Sequence, residues 1–174
     1  MILLEDTRQQ TGKHDLKNAY FKEHGIEIRR TKLYCGDYTL PTNQSICIDT
    51  KQDISELIQD LQTDHDRFRN ELLRAQEAGI KLYILVDNDF QWISRTKNIF
   101  NSPVRKIEDL FSWKNPRAFI FKGGKQAYPN CAKGSWIAKT CMTMENKYGC
   151  KFLFCKPDES AKLIIDLLQG KEGG

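Results

Sequence analysis

Apolar and polar positions recur along this chain with enough order to lay out most of its elements. Residues 2–5 open with Ile-Leu-Leu and read as a strand that runs straight into acids. Leu16, Ala19 and Tyr20 recur at helical spacing, so 15–24 predicts a helix with Gly25 as its stop. Residues 26–28 and 32–35 are strand-like, and Leu40-Pro41-Thr42-Asn43 reads as a turn. The stretch 46–50 predicts a strand with Ile46 and Ile48 on its core face. Asp53 can cap a helix over 54–61, with Glu56 at its third position as in a capping box. A further helix starts at Asp64 or Asp66 and runs to Ala78, with Phe68, Leu72 and Ala75 as its apolar stripe and Gly79 as its end. The nearly continuous apolar run at 81–86 predicts a strand buried on both faces.

The pattern is weaker further on. Residues 87–103 predict irregular structure, with Trp92 and Phe100 available for packing. A short helix is expected over 104–111, a short strand over 119–121 and a loop over 122–129. Ser135 caps a helix over 136–148 that Gly149 ends, 150–155 is a last strand, and Pro157 opens a final helix over 158–168. This alternation predicts an α/β fold, a mixed β-sheet flanked by α-helices, in a single domain spanning 1–174.

Composition removes several classes. No run of about 18 apolar residues is present, so no membrane span is expected. The N-terminus lacks the basic start and long apolar stretch of a signal peptide. The six cysteines form no CxxC pair and stand far in sequence from His14, His24 and His65, which argues against a zinc site. They are expected to be reduced and to pack as small hydrophobes.

Charge is unevenly spread. Residues 1–90 carry 12 Lys/Arg and 16 Asp/Glu, whereas 91–174 carry 15 and 7. Between 113 and 156 stand nine Lys/Arg and one acid, Glu145. A basic half beside an acidic one suits a polyanion, although phosphates alone do not distinguish DNA from RNA. Lys122, Lys125 and Lys133, in glycine-bearing loops, are the candidate backbone contacts, with Tyr128 or Trp136 as stacking groups or as ordinary core residues.

The acidic half holds the candidate chemistry. Asp37 in Cys35-Gly36-Asp37-Tyr38 is followed, after eleven residues, by Asp49-Thr50-Lys51. On a strand Asp49 and Lys51 share a face. Acid and Lys two apart also occur on ordinary solvated strand faces. The sharper reading is a phosphodiester-cleaving site, in which two carboxylates hold a hard divalent ion that keeps several waters. A lysine beside such a water can help deprotonate it or neutralise developing charge.

Residues 1–87 resemble the nuclease domain of the XPF/MUS81 family of structure-specific DNA endonucleases, the ERCC4-type domain. The motifs that carry the resemblance stand in order: Leu3-Leu4-Glu5-Asp6-Thr7-Arg8-Gln9, then Cys35-Gly36-Asp37-Tyr38-Thr39-Leu40, then Asp49-Thr50-Lys51 with Glu56 nearby, and Asp66-Arg67-Phe68. The resemblance implies a restriction-endonuclease-like fold. It implies Mg2+, or Mn2+ in its place, held by Asp6, Asp37 and Asp49. Lys51 then completes the catalytic set, and Arg8 lies at the catalytic face. Arg67 is implied beside the cut strand, or else is a surface charge at a helix start. The expected activity is Mg2+-dependent endonucleolytic hydrolysis of DNA, with branched or flapped DNA as the substrate and a homodimer as the assembly. No tandem helix-hairpin-helix pattern follows, so the likeness is to the compact forms of bacteria and phages, which implies action at DNA in the cytoplasm of a bacterial or phage-infected cell. Three positions depart from the family pattern: Gln9 replaces a Glu, Asp49 replaces a Glu, and Thr50 replaces an Arg. Gln9 cannot act as a base. These losses keep open a second reading, a weak or inactive DNA-binding subunit working beside a partner.

Overall fold

In the computed structural model, which describes residues 1–9 and 14–171, the chain runs through β1 (Ile2–Asp6), α1 (Asp15–Glu23), β2 (Glu27–Thr31), β3 (Tyr38–Leu40) and β4 (Asn43–Lys51). Next come α2 (Ile54–Leu61), α3 (His65–Glu77), β5 (Lys81–Asp87), β6 (Gln91–Ser94) and β7 (Ile99–Asn101). Two 3-10 turns (Ile107–Ser112 and Pro116–Phe119) lead to β8 (Phe121–Lys122), β9 (Lys125–Gln126), α4 (Gly134–Tyr148), β10 (Lys151–Cys155) and α5 (Ser160–Leu168). Residues 10–13 and 172–174 of the expected 1–174 domain lie outside the described residues.

Among the described residues, six strands form one mixed sheet in the order β10-β5-β4-β3-β1-β2. β1–β2, β4–β5 and β5–β10 pair parallel, while β3 pairs antiparallel with both β1 and β4. This is the restriction-endonuclease-like arrangement that the resemblance implies. The apolar run on β5 explains its interior place, between β10 and β4. Leu82, Ile84 and Val86 face α2, α3 and α4, whereas Tyr83 and Leu85 face α1 and α5. A strand with both faces buried needs no polar alternation. The opposite edge strand, β2, is largely exposed and carries Arg29 and Arg30, charges that discourage pairing with a further strand. No helix among the described residues is long and apolar enough to cross a membrane.

Three expectations change. Residues 32–35 form no strand: the Leu33 N–H goes to Asp6 Oδ2 at 2.8 Å, and the N–H of Gly36 just beyond goes to Glu71 Oε1 at 2.8 Å. The stretch 87–103 is not irregular but carries the β6–β7 hairpin, whose turn is closed by Asn98 in the left-handed region (φ 51°). Residues 121–126 form a second small hairpin around Gly123 and Gly124 in place of the strand and loop expected there. Five of the six cysteines are buried, Cys131 is half-buried, and none is in a disulfide.

Candidate active site

β4 changes character along one face. Cys47 joins the core beneath α2 and α3, and the next two residues on that face are Asp49 and Lys51. The acid-any-Lys pair therefore sits where the sheet emerges from beneath those helices. Lys51 Nζ lies 5.4 Å from the centre of the Phe68 ring on α3.

Gly36 brings the second acid to the same place. Its φ is +70°, and a Cβ there would lie 2.9 Å from the Ile48 carbonyl oxygen. Only glycine lets this turn come so close to β4. Asp37 N–H then donates to Ile48 O at 2.7 Å, and Asp37 Oδ2 accepts both the Thr50 N–H (2.7 Å) and the Thr50 hydroxyl (2.8 Å). These bonds fix one carboxylate oxygen and leave the other to the pocket that Asp37 lines.

That pocket encloses about 310 Å3. Arg8, Asp37, Asp49, Lys51, Arg67 and Glu71 all line it, together with Gln9, His14, Gln52 and Glu56. Asp6 stands behind it. Both Asp6 oxygens are held by the Arg8 guanidinium (2.8 and 2.9 Å), and the N–H groups of Arg8 and Leu33 add two further bonds. Burial opposes ionisation of Asp6, but Arg8 and these donors outweigh it and hold its pKa below the ordinary value. Gln9 Oε1 lies 2.5 Å from His14 Nε2. Lys122 and Lys125 flank the turn between β8 and β9, and Lys133 precedes α4; all three are exposed and outside the pocket lining.

Two acids in the site escaped the sequence reading. Asp60 on α2 is 3% exposed and pairs with Lys51 Nζ at 2.5 Å and Arg67 at 2.9 Å. Glu71 lies one helical turn beyond Arg67, which puts both on one face of α3. That spacing was a usable signal for Glu71. Asp60 carried none, because an acid near the end of an amphipathic helix usually faces solvent.

Lys51 is thus held between Asp49, at 2.7 Å, and Asp60. Burial works against its charge, but the two carboxylates together overcome that and keep its pKa above the ordinary lysine value. Burial also pushes the Asp49 carboxyl well up, with Asp37 and Glu71 adding to the shift against the opposing pull of Lys51. Asp49 Oδ2 is the buried oxygen that faces Lys51 Nζ in this pair.

Charge bookkeeping points to a cation. Asp6 balances Arg8, while Asp49 and Asp60 balance Lys51 and Arg67. Asp37, Glu56 and Glu71 line the pocket without an ion-pair contact among the described residues. No three His, Cys, Asp or Glu side chains among the described residues form a closed metal cluster. Mg2+ does not need one, since it binds through one or two carboxylates, waters and substrate phosphates. The surplus negative charge among the described residues, and a donor set made of carboxylate oxygens, fit that ion.

Two solved structures of XPF from Aeropyrum pernix share this fold. The first aligns with a TM-score of 0.58 at 14% identity, covering 97% of this chain and 64% of that one. The second, a complex with DNA, aligns at 0.59 and 15%, covering 97% and 63%. The chain thus spans less than two thirds of the length of these relatives. A search of curated protein sequences gives no match. The sequence profile of the ERCC4 domain matches residues 6–167, nearly the whole chain, and the chain therefore belongs to the ERCC4 domain family.

Proposed function

We propose that this protein is an Mg2+-dependent DNA endonuclease, selective for branched or flapped DNA, with the pocket at the end of β4 as its active site. The observation that carries the reading is the pocket itself, in which Asp37 and Asp49 stand beside a lysine pinned between Asp49 and Asp60. Membership in the ERCC4 domain family and likeness to an XPF solved in complex with DNA support the choice of substrate.

Asp37 and Asp49 are the residues that hold Mg2+, or Mn2+ in its place. When bound, the ion supplies Lewis-acid polarisation of the phosphoryl oxygen and a more acidic water. Lys51, kept protonated by its two acids, acts as a cation rather than a base. It donates to the attacking water or to the oxygen on which negative charge develops. Arg8, clamped by Asp6 through Nε and one terminal nitrogen, offers its remaining terminal nitrogen to the scissile phosphate. Asp6 in this reading positions Arg8, and a metal contact from Asp6 would run through water. The oxygen of the attacking water bonds to phosphorus as the phosphorus–O3′ bond breaks; the water gives up a proton to solvent and O3′ takes one from solvent, leaving a 5′-phosphate and a 3′-hydroxyl.

DNA reaches the pocket along a neighbouring groove of about 550 Å3. Gln52 and Glu56 belong to both the groove and the pocket, and Arg117, Cys131 and Ala132 form the groove's far side. The basic segment is therefore next to the site. Lys122, Lys125 and Lys133 hold the backbone beyond the cut, and Arg67 holds it at the pocket rim. A homodimer is part of the same reading, and light scattering checks it.

A second reading, a non-catalytic DNA-binding subunit, draws on Gln9 and Thr50, whose side chains bond to His14 and Asp37 where the family has charges. The deciding experiment is incubation with labelled flap, fork, four-way junction and linear duplex DNA, with Mg2+ or EDTA. The proposal expects Mg2+-dependent cuts, fastest on branched substrates, and loss of cutting with retained binding in Asp37→Ala and Lys51→Ala. DNA binding without cleavage and without calorimetric Mn2+ uptake would establish the second reading instead.

A further inference from the structure

Beside the active-site pocket, the β6–β7 hairpin carries three large aromatic side chains that the hydrolytic site does not use. Phe90, Trp92 and Phe100 are 46%, 42% and 37% exposed. They form one cluster, with ring centres 5.3 Å apart for Phe90–Trp92, 5.4 Å for Phe90–Phe100 and 5.5 Å for Trp92–Phe100. Rings of this size normally bury most of their surface, so an exposed group of three marks a contact surface.

The cluster is held firmly. Asn88, just before it, exchanges two hydrogen bonds with the backbone of Val104 (2.9 and 2.6 Å). Asn101, at the end of β7, does the same with the backbone of Lys114 (2.7 and 2.8 Å). Both asparagines are buried. The hairpin is therefore clamped at both ends, and its rings are presented without much ordering left to do on binding.

Position and charge narrow the occupant. Phe90 lines a groove of about 260 Å3 that also includes Gln52, the residue after Lys51 and part of the active-site lining. The charged residues of this groove are Asp53 and Asp89, whose Oδ1 atoms accept the N–H groups of Glu56 and Phe90, so the cations stand on the far side of the rings. The platform is therefore continuous with the cutting site. The Arg95 guanidinium lies 5.8 Å from the Trp92 ring centre, and Lys114 shares a hollow with Phe100. The Asp109 carboxylate borders that hollow, but its Oδ2 is occupied by the N–H groups of Arg105 and Lys106. Aromatic faces flanked by cations suit a chain that offers flat rings and phosphates together. A duplex hides its base faces, whereas an unpaired strand exposes them.

We propose that Phe90, Trp92 and Phe100 form a stacking platform for the unpaired strand of a branched DNA, next to the site that cuts it. This rests on the reading of DNA as substrate, and it assigns selectivity for branched DNA to a named surface.

The test is fluorescence anisotropy in EDTA, where no cleavage occurs, using the full chain. The probes are a thymidine oligonucleotide of about 20 nucleotides, a flap and a linear duplex. The Trp92→Ala/Phe100→Ala double variant should bind the oligonucleotide and the flap about 10-fold more weakly and leave duplex affinity within about 2-fold. Trp92→Phe, which keeps a ring, should restore most of the loss. Equal weakening on all three probes, no weakening on any, or a changed mass in light scattering would overturn the proposal, the last by assigning the rings to self-association. Failure of the platform is thereby separable from failure of the nuclease, which is read as linear-duplex cutting with Mg2+.

Discussion

Lys51 carries its charge in a place where burial alone would remove it. Two carboxylates hold the proton there, and the pocket in turn keeps a fixed cation in its wall. Asp6 shows the same logic in a form that pH can probe. Its pKa is held below the ordinary carboxylate value by Arg8 and the N–H of Leu33, against the opposing effect of burial. The unfolded chain takes up this proton near pH 3.9, the folded chain only at lower pH. The stabilisation is thus complete above about pH 4 and is lost as pH falls through the folded value. Asp6→Asn should therefore be less stable than the wild type at neutral pH, and the gap should close on acidification below about pH 4. Urea unfolding across that range checks this, and a gap independent of pH would contradict it. At this scale, Asp37, Asp49 and Lys51 were legible because their spacing and a family resemblance mark them. Asp60 was not, because its contact with Lys51 depends on how α2 crosses the end of β4, and no local pattern records that crossing.

At the scale of elements, close backbone approaches do much to set the architecture. α4 starts at Gly134, where a Cβ would fall 2.0 Å from the Leu110 carbonyl oxygen and 2.5 Å from that of Trp113. The 3-10 turn bearing Leu110 and the first turn of α4 therefore touch backbone to backbone. Gly134→Ala should destabilise the fold by about 3 kcal/mol, read as a lowered denaturation midpoint. A variant with the wild-type midpoint would show that the two segments part easily. The strands and helices with clean periodicity, such as α3 and β5, could be read directly. The β6–β7 and β8–β9 hairpins could not, because strands of two to four residues leave no periodicity to detect. The segment 32–35 misled for another reason: Leu33 and Cys35 are buried, but side-chain carboxylates take the place of a neighbouring strand.

Across the whole molecule, the acidic and basic stretches of the chain share one sheet, since β10 from the basic half pairs with β5 from the acidic half. The active-site pocket draws on residues 8–71, and the groove beside it is walled by Arg117 and Cys131. Sequence could report the charge skew but not this adjacency, which follows from how β10 returns to the sheet. If Lys122 and Lys125 contact phosphates, the double Ala variant should lower the slope of log affinity against log salt by about 2 for duplex DNA. An unchanged slope would remove the β8–β9 hairpin from the interface. If the carboxylates at the end of β4 hold a divalent ion that cuts DNA, single-turnover cleavage of a labelled flap, with DNA affinity measured in parallel, will show it. Wild type should cut with Mg2+ and not with EDTA, and Asp49→Asn should cut at least about 1,000-fold more slowly at nearly unchanged affinity. Cutting by Asp49→Asn at the wild-type rate, or cutting that survives EDTA, would contradict it.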